Sequence, residues 1–526
     1  MAAVRVAVFR GATVHDGTGA PSRPADVVVE AGLITAVEAG APAPVGAEVV
    51  DASGRAMLPG FIDAHSHDDA ALFRPGGLDP KTGQGVTTTV LGNCGLGVAP
   101  SSPGLAESAT PVLGPFPDRH WPTFGDYLAE IAAEARAVNT VALVPHAPLR
   151  AAALGFERRP ATAAEVDAIA GTAASALDAG AAGISLGLMY APGDEATRDE
   201  LLALATAAAR HDRLLVAHIR NEADHLRASI DEMADLARAT GARLHISHLK
   251  VTGPANAGGM PAIIDHLDAL RDEGIDVTAD VYPYDAGSTT VASLFPPDAQ
   301  GALVALLSDP TTRRPLLARL DHPWPATALE NQWAAVGPGR ILLAGFPATM
   351  AEYEGLSVAA IAASRAQDPL DALADLVVGA AGQLTVVVFH TDPDGVRQAL
   401  AWPHTLVGSD GLPREAGFVH PRLYGTFPRA LTLGVLPFDA ALARMTSATA
   451  DRFGLARRGR IEVGAAADLQ LVDLGAYADR ATYDDPRRSP AGLAGVWVGG
   501  VRVGAASAGQ FLRPAPAAPA GPNKSG

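Results

Sequence analysis

The sequence predicts an α/β protein, a TIM-type (β/α)8 barrel with a small β-sandwich domain formed by both chain ends. Short alternating strands separated by Gly and Pro turns occur near both ends, whereas the middle alternates apolar strands with Ala-rich helical segments. A length of 526 residues exceeds one ordinary core and suits a large barrel with a satellite domain. Together these observations predict a split domain around a central barrel.

The two ends share a strand-rich style and are expected to pair. We assign residues 1–57 to the first part of the sandwich and 451–510 to the second, followed by a disordered Pro- and Ala-rich tail at 511–526. The segments that carry this prediction are 4–9 (VRVAVF), 25–32 (ADVVVEAG), 34–40 (ITAVEAG), 460–474 (RIEVGAAADLQLVDL) and 494–503 (AGVWVGGVRV).

The barrel is assigned to residues 58–450, with a lid insertion at about 289–345. The last two predicted strands are separated by far more chain than a barrel crossover needs, which predicts the insertion. The eight predicted strands are 57–62, 87–91, 140–144, 182–188, 214–218, 243–248, 276–282 and 405–409.

Composition favours a small-molecule enzyme. A net charge of -17 disfavours nucleic acids and anionic membranes, because both require a concentrated basic surface. Apolar runs are too short to span a membrane and residues 1–20 do not resemble a signal peptide, so we expect a cytoplasmic location. The single cysteine, Cys94, excludes an internal disulfide.

Histidines and an aspartate recur where predicted barrel strands end. His65 and His67 follow the first strand at i, i+2 and therefore point to the same side of an extended segment. His218 and His248 end the fifth and sixth strands, and Asp410 ends the eighth. Because the carboxyl ends of barrel strands converge on the catalytic face, these side chains predict a metal site there.

Cys94 lies in a glycine-flanked loop after the second strand. It could be a zinc ligand, since zinc favours mixed nitrogen, sulfur and oxygen ligands, or a catalytic nucleophile. The fourth strand contains no lysine that could bridge two metals. We therefore expect one tightly bound zinc on Cys94, His218 and His248, and a second, weaker metal position at His65, His67 and Asp410.

Asp410 has two possible roles, as a metal ligand alone or also as a general base. As a base it would take a proton from the attacking water and return it to the leaving amine, and we favour both roles together.

Nine segments resemble, in order, the D-aminoacylase (N-acyl-D-amino-acid deacylase) branch of the amidohydrolase superfamily. The cysteine-containing loop and the SHLK segment separate this branch from hydantoinases and dihydroorotases. The segments are 59–69 (PGFIDAHSHDD), 91–95 (LGNCG), 183–193 (GISLGLMYAPG), 217–224 (AHIRNEAD), 246–253 (ISHLKVTG), 280–288 (DVYPYDAGS), 408–412 (GSDGL), 420–429 (HPRLYGTFPR) and 458–468 (RGRIEVGAAAD).

This resemblance implies zinc-dependent hydrolysis of the acyl amide of N-acyl-D-amino acids. It implies the same ligand set, and it implies that the substrate α-carboxylate binds Tyr190, Lys250, Tyr282, Ser288 and Arg422. Lys250 is expected on one strand with His248, facing the barrel mouth. An inward lysine is costly without an anion, which we expect the substrate to supply.

One segment departs from the family pattern. Residues 145–150 (PHAPLR) replace a GHGTLR-like stretch, so we expect an altered loop after the third strand. Two other functions remain open, namely another amidohydrolase reaction, such as that of a dipeptidase or cyclic-amide hydrolase, and a non-catalytic metal-binding barrel. Lys250 argues against cyclic amides, because they lack an α-carboxylate.

Overall fold

The computed structural model describes residues 6–322, 324 and 330–515. Within them, strands and helices alternate through the middle of the chain, and strands dominate its two ends. The strands are Val6–Val14 (β1), Arg23–Glu30 (β2), Leu33–Glu38 (β3), Glu48–Asp51 (β4), Ala56–Pro59 (β5), Phe61–Asp63 (β6), Val86–Leu91 (β7), Asn139–Ala142 (β8), Val144–Pro145 (β9), Gly183–Gly187 (β10), Leu214–His218 (β11), Arg243–Ile246 (β12), Val277–Val281 (β13), Gly287–Thr290 (β14), Ile341–Ala344 (β15), Thr385–Val388 (β16), Thr405–Val407 (β17), Leu469–Val472 (β18), Leu493–Val498 (β19) and Val501–Arg502 (β20).

The helices lie mainly between the central strands. Several begin at a side-chain cap, as at Thr162, whose hydroxyl accepts a hydrogen bond from the backbone N–H of Glu165. The helices are Asp79–Thr82 (α1), Leu105–Leu113 (α2), Phe124–Ala133 (α3), His146–Leu154 (α4), Ala163–Asp178 (α5), Arg198–Arg210 (α6), Leu226–Thr240 (α7), Met260–Asp272 (α8), Pro297–Gln300 (α9), Leu303–Ser308 (α10), Pro310–Ala318 (α11), Gln332–Val336 (α12), Val358–Arg365 (α13), Pro369–Gly379 (α14), Pro393–Ala401 (α15), Arg422–Thr432 (α16), Phe438–Arg444 (α17) and Ser447–Arg452 (α18).

The two chain ends pair, as the sequence predicted. Strands β1 to β5 and β18 to β20 form one eight-stranded sheet, in which β18 pairs antiparallel with β5. The N–H of Ala467 also donates to the carbonyl of Gly32, which links the far edge of this sheet to the C-terminal part. An apolar core that includes Phe9, Leu469 and Trp497 fills the domain.

The central strands form the predicted parallel barrel. Strands β6, β7 and β8 pair in parallel, and β9 to β13 continue the order to β17. The N–H of Ala64 donates to the carbonyl of Val407 at 3.3 Å, which brings the last strand beside the first. Strands β7 and β11 are buried along their whole length, and β11 (LLVAH) is apolar up to His218, as expected for a strand of a parallel sheet covered on both faces. The carboxyl ends of all eight strand positions therefore face one side.

The first predicted strand, 57–62, is two strands. Residues up to Pro59 belong to the end domain, and Phe61–Asp63 belongs to the barrel. Gly60 lies between these two strands. Any larger residue would clash there, because a Cβ atom would lie 2.2 Å from the Thr87 side chain. The chain thus passes from one sheet to the other at a residue without a side chain.

The insertion has its own sheet and apolar core. Strands β14, β16 and β15 form a three-stranded antiparallel sheet, and the separate core runs from Val291 to Val388. The predicted range of 289–345 ends before its central strand, β16. The sequence showed where the insertion began but not that β16 returns to pair with β14.

The predicted tail at 511–526 is ordered at its start. The N–H of Leu512 donates to the carbonyl of Thr140, and that of Ala515 donates to the carbonyl of Gly454. Residues 511–515 are therefore packed on the barrel, which corrects the prediction, and residues 516–526 lie outside the described part. No helix in the described residues is long and apolar enough to cross a membrane.

The PHAPLR segment forms the end of β9 and the first turn of α4. Pro145 is the N-cap residue with extended backbone angles, and Pro148 falls in the first helical turn, where a backbone N–H has no partner within the helix. His146 and Arg150 both contact the buried carboxylate of Glu200, with a His146 Nε2 to Oε1 distance of 2.6 Å. The prolines are accommodated without interrupting the helix.

Candidate metal centre and substrate cavity

The predicted metal ligands meet at the carboxyl ends of the barrel strands. They form two groups that share Cys94, one with His65, His67 and Asp410 and the other with His218 and His248. Within each group the donor atoms lie within 4.8 Å of one another, and every member is buried. The six side chains are those that the sequence analysis selected, although it placed Cys94 only with His218 and His248.

The distances between donor atoms suit a shared ion. Cys94 Sγ lies 3.2 Å from His65 Nε2 and 3.4 Å from His248 Nε2. Ligands at ordinary Zn–S and Zn–N lengths in a tetrahedral site are separated by about 3.3–3.6 Å. In addition, the buried His218 Nε2 and His67 Nδ1 have no hydrogen-bond partner among the described residues. The donor chemistry and spacing therefore fit zinc.

The Cys94 loop reaches the other candidate ligands because Gly187 permits a close approach of the two backbones. Cys94 lies in a short 3-10 turn after β7, and the carbonyl of Cys94 packs against Gly187 at the end of β10. A Cβ atom on Gly187 would lie 1.9 Å from that carbonyl oxygen. A larger residue at Gly187 would push the cysteine away from the histidines.

The local charges favour the ionised form of Cys94. Burial alone would raise the pKa of its thiol, but the His65 and His248 imidazoles lower that pKa well below its ordinary value. A thiolate is the form that binds metals. A lowered pKa is also what a nucleophilic cysteine would need, but the shared position of Cys94 in both donor groups favours the ligand role.

Asp410 is held between a histidine and an arginine. Its Oδ1 lies 3.0 Å from His67 Nε2, and its Oδ2 lies 2.9 Å from Arg422 Nη1. Burial would raise the pKa of this carboxyl group, but Arg422 and His65 keep it well below its ordinary value. Asp410 is therefore a carboxylate at neutral pH.

Two carboxylates behind the ligands orient the imidazoles. Asp280 Oδ2 lies 3.2 Å from His65 Nδ1, and Asp280 Oδ1 accepts a hydrogen bond from the His248 backbone N–H at 2.9 Å. Glu222 Oε1 lies 2.9 Å from His248 Nδ1. Such partners fix the ring orientation and tautomer of metal-binding histidines.

One cavity is lined by five of the six proposed metal ligands, all except His65, and by the predicted substrate residues. The latter are Tyr190, Lys250, Tyr282, Ser288 and Arg422. The barrel contributes most of them, but Ser288 comes from β14 of the insertion. The insertion thus forms part of the wall that faces the metal ligands.

Lys250 differs from the prediction in two respects. Strand β12 ends at Ile246, so Lys250 lies in a loop rather than on one strand with His248. Its Nζ atom already forms an ion pair with Glu222 Oε1 at 2.6 Å, and Nζ also donates to the His248 carbonyl at 3.0 Å. Glu222 therefore compensates this buried ammonium, and the prediction that a substrate anion must do so was wrong.

The remaining predicted substrate residues are partly engaged within the protein. Arg422 Nη2 donates to the Ser288 carbonyl at 2.9 Å, and the Tyr190 hydroxyl oxygen lies 2.9 Å from Thr289 Oγ1. The Tyr282 hydroxyl is buried and has no partner among the described residues, while the Arg422 guanidinium lies 4.6 Å from the Tyr282 ring centre. Tyr282 consequently has a hydrogen-bonding group free for a ligand.

Sequence reasoning did not assign roles to several residues of the site. Glu222 and Asp280 lie inside segments used for the resemblance, and an acidic residue within the apolar β13 was a usable signal for Asp280. His390 lines the cavity from beyond the end of β16. No motif marks it, because it is close to the site only through the fold of the insertion.

Comparison with known proteins agrees with this geometry. A profile described as the Amidohydrolase family matches residues 48–503, which is most of the chain. The chain belongs to this family. The match covers the barrel, the insertion and the strands β4, β5 and β18 to β20 of the end domain, so the amidohydrolase assignment does not rest on one motif.

Three proteins illustrate what this amidohydrolase is similar to. The N-acyl-D-glutamate deacylase of Alcaligenes xylosoxydans xylosoxydans is 37% identical over 94% of this chain and 93% of its own. The D-aminoacylase of the same organism is 34% identical over 94% of both chains. The crystal structure of the N-acyl-D-glutamate deacylase from Bordetella bronchiseptica, complexed with zinc and a phosphonate inhibitor, matches with a TM-score of 0.83 and 34% identity over 97% of this chain and 100% of the other.

Proposed function

We propose that this amidohydrolase is a zinc-dependent N-acyl-D-amino-acid deacylase. It would hydrolyse the acyl amide to a D-amino acid and a carboxylate. One observation carries the proposal: a donor set suited to zinc and two cations suited to a carboxylate, Lys250 and Arg422, line the same cavity. The D configuration is supported by the relatives, because the name of each one specifies the D configuration.

Cys94, His218 and His248 would hold the tightly bound zinc, and His65, His67 and Asp410 would provide a second, weaker position. When bound, zinc acts as a Lewis acid that polarises a carbonyl and activates water for attack. The fit rests on the mixed sulfur and nitrogen donors and on their spacing. A metal-binding Cys94 thiol suits a reducing compartment, and we accordingly propose a cytoplasmic location.

Asp410 is proposed to move the proton. Its Oδ2 is fixed by Arg422 and its Oδ1 by His67, so the carboxylate is oriented toward the cavity at the point where the two ligand groups adjoin. It would accept a proton from water and deliver it to the departing amine nitrogen. Lys250, Arg422 and the Tyr282 hydroxyl would hold the α-carboxylate and so present the amide to Asp410.

Replacing Asp410 with Asn tests this role. We expect kcat to fall by roughly 10²–10⁴-fold, which is the range for a positioned acid–base group, while most of the tightly bound zinc is retained. The measurement is turnover of N-acetyl-D-amino acids together with metal content. Near-normal turnover would exclude the role.

The function itself is tested with N-acetyl-D- and N-acetyl-L-amino acids, before and after removal of metal by a chelator. We expect hydrolysis of the D series only, loss of activity with the chelator and recovery with zinc. A cyclic amide and a dipeptide serve as comparison substrates for the two alternative amidohydrolase reactions. Absence of hydrolysis of every N-acyl-D-amino acid by the zinc-loaded protein would refute the proposal.

A further inference from the structure

The chain between Asp410 and Arg422 connects two residues of the proposed reaction. Asp410 follows β17, Arg422 begins α16, and their side chains pair at 2.9 Å. We call residues 411–419 the Asp410 loop. Leu412 of this loop lines the substrate cavity. The path of the Asp410 loop therefore helps to determine where the proposed proton carrier lies relative to Arg422.

Arg414, in the middle of this loop, contacts two other walls of the cavity. Its Nη2 donates to the Pro111 carbonyl at 2.9 Å and to Thr385 Oγ1 at 3.3 Å. Pro111 lies in the last turn of α2, where a carbonyl has no partner within the helix, and Thr385 begins β16 of the insertion. The same helix and strand contribute Val112 and Val388 to the cavity lining. One guanidinium thus joins three elements that each supply a residue of the cavity.

The backbone of the Asp410 loop is held independently of this guanidinium. Arg487, between β18 and β19, donates to the Arg414 carbonyl at 3.1 Å and to the Gly417 carbonyl at 2.9 Å. The Glu354 carboxylate of the insertion accepts a hydrogen bond from the Phe418 N–H at 3.0 Å. Loss of the Arg414 side chain would therefore leave the loop anchored but would release α2 and β16 from it.

The bonds that Arg414 makes to the other two elements are to neutral groups. A carbonyl and a hydroxyl are its acceptors, and no carboxylate of the described residues forms an ion pair with its guanidinium. Opening a buried ion pair would leave an uncompensated charge, whereas opening these bonds leaves a neutral carbonyl and hydroxyl. The junction of α2, β16 and the Asp410 loop is therefore strong enough to hold the walls together and weak enough to open.

Solvent has little access to the other residues of this cavity. Cys94, His248 and Asp410 are 3%, 3% and 6% exposed, and Lys250 is 8% exposed. Exclusion of water strengthens the electrostatic interactions within a reaction site. A narrow cavity of this kind requires its walls to stay together around the bound substrate.

We propose that Arg414 is a positioning residue that holds α2, β16 and the Asp410 loop together and so keeps the cavity closed around the proposed metal ligands. This inference rests on the proposed function and concerns how its site is held, not which substrate enters. Arg414 does not line the cavity and touches no reacting atom. Without its guanidinium the three elements separate, and Asp410 and the bound amide lose their alignment.

Cys94 reports on closure directly, because it is the only cysteine of the chain and lies in the cavity. The probe is N-ethylmaleimide, an uncharged thiol reagent, applied to the full-length protein after removal of metal. Arg414→Met should raise the rate of Cys94 modification by at least ~10-fold, which is the effect of losing about one hydrogen bond to a charged group. Arg414→Lys restores one donor and should give an intermediate rate.

Two further variants show whether the effect belongs to the junction. Thr385→Val keeps the shape of the side chain but removes one acceptor, so it should raise the rate less than Arg414→Met and add nothing in the double variant. Arg313→Met is the matched control, because Arg313 forms ion pairs within the insertion and should leave the rate unchanged. Urea unfolding of each variant gives the contribution of global unfolding to the rate.

Turnover then connects closure with the reaction. In the zinc-loaded protein, Arg414→Met should lower kcat for N-acetyl-D-amino acids by at least ~10-fold with unchanged zinc content, because a small misplacement of reacting groups has a large effect on rate. Arg414→Lys should recover part of that loss. A purely structural role would reduce zinc content and stability instead and would not be rescued by lysine.

The possible outcomes separate this inference from the proposed function. Wild-type rates of Cys94 modification in Arg414→Met and Thr385→Val, or faster rates that global unfolding explains in full, would overturn the role of Arg414. Thr385→Val decides the question if Arg414→Met does not fold. Failure of the zinc-loaded wild-type protein to hydrolyse any N-acetyl-D-amino acid would overturn the deacylase function, whereas the modification rates need no turnover and would still test the closure.

Discussion

Three of the proposed metal ligands occupy a backbone conformation that non-glycine residues rarely adopt. The φ angles of Cys94, His248 and Asp410 are +54°, +36° and +48°. Each such residue costs of order 1–3 kcal/mol, and the surrounding structure must compensate that cost. These positive-φ residues occur at positions where the donor atoms of the two groups come together.

Two replacements of Cys94 distinguish the metal-binding role of its thiol from the cost of its backbone conformation. Cys94→Ala and Cys94→Gly should both lose tightly bound zinc, because both remove the sulfur donor. Without metal, Cys94→Gly should be more stable than Cys94→Ala by about 1 kcal/mol, since glycine tolerates the positive φ. Metal analysis and urea unfolding provide the measurements, and full zinc content in either variant would exclude Cys94 as a ligand.

The ion pair between Lys250 and Glu222 changes how Lys250 should be tested. Lys250→Met would remove a contact to the α-carboxylate but would also leave Glu222 without its partner. The double variant Lys250→Met/Glu222→Gln removes both charges and is the matched control for the unpaired glutamate.

If Lys250 binds the α-carboxylate, the double variant should still lose activity toward N-acetyl-D-amino acids. We expect a loss equivalent to about 2–5 kcal/mol in kcat/KM, the range for truncating a buried charge pair. The corresponding N-acyl amino-acid amides lack the charge and should be affected much less. Equal losses on acids and amides would show that Lys250 does not bind the carboxylate.

At the scale of secondary-structure elements, a buried lysine connects three segments beneath the metal centre. Lys81 of α1 lies 2.6 Å from Asp63 Oδ2 at the end of β6, and it donates to Ser409 Oγ at 2.7 Å. Asp63 Oδ1 also accepts hydrogen bonds from the backbone N–H groups of His65 and Ser409. Asp63 therefore positions the segments that contain His65 and Asp410.

Removing Lys81 should destabilise the protein strongly. Lys81→Met leaves the buried Asp63 and Asp68 carboxylates uncompensated, and we expect a loss of about 3–5 kcal/mol. Lys81→Met/Asp63→Asn removes one of those charges and should recover part of the loss. Urea unfolding of the single and double variants measures the change in the free energy of unfolding. A Lys81→Met protein as stable as wild type would show that the pairs of Lys81 with Asp63 and Asp68 do not stabilise the fold.

On the scale of the whole molecule, the barrel and the insertion have separate apolar cores and meet over the substrate cavity. Phe295 and Leu343 belong to the insertion core, whereas the barrel core is formed around its own strands. Polar contacts join the two, including the hydroxyl of Thr252 in the barrel, which donates to the Glu330 carboxyl group at 2.8 Å. Glu330 is therefore a titratable group at this boundary.

Because Glu330 lies at this boundary, we expect the free energy of unfolding to depend on pH. Burial raises the pKa of Glu330 to about 7, so the folded state favours its protonated form. The stabilisation is fully present below the ordinary pKa of about 4.5 and is lost as the pH rises through about 7. Glu330→Gln keeps a neutral side chain and removes this titration.

Compared with Glu330→Gln, the wild-type protein should lose about 2–3 kcal/mol of its free energy of unfolding between pH 5 and pH 8. Urea unfolding of both metal-free proteins at the two pH values measures the difference. A constant difference between the two proteins across this range would show that Glu330 is not protonated in the folded state near neutral pH.

The sequence by itself predicted the barrel, the pairing of the chain ends and the six candidate metal-ligating side chains that the fold brings together. Local sequence signals are enough to predict these features. Apolar strands that alternate with helical segments indicate a parallel sheet, and the residues at the carboxyl ends of barrel strands all lie on one face of the barrel. His65, Cys94 and Asp410 could therefore be assigned together although they are far apart in the chain.

Only the tertiary structure decided which charges meet. The Lys250–Glu222 and Lys81–Asp63 pairs join residues 28 and 18 positions apart through loop and helix geometry that no local pattern specifies. The return of β16 to β14 brings His390 to the cavity across about a hundred residues of insertion. Long-range pairing of this kind depends on packing between separate cores, so the sequence could indicate the metal chemistry but not which residues of the insertion line the cavity.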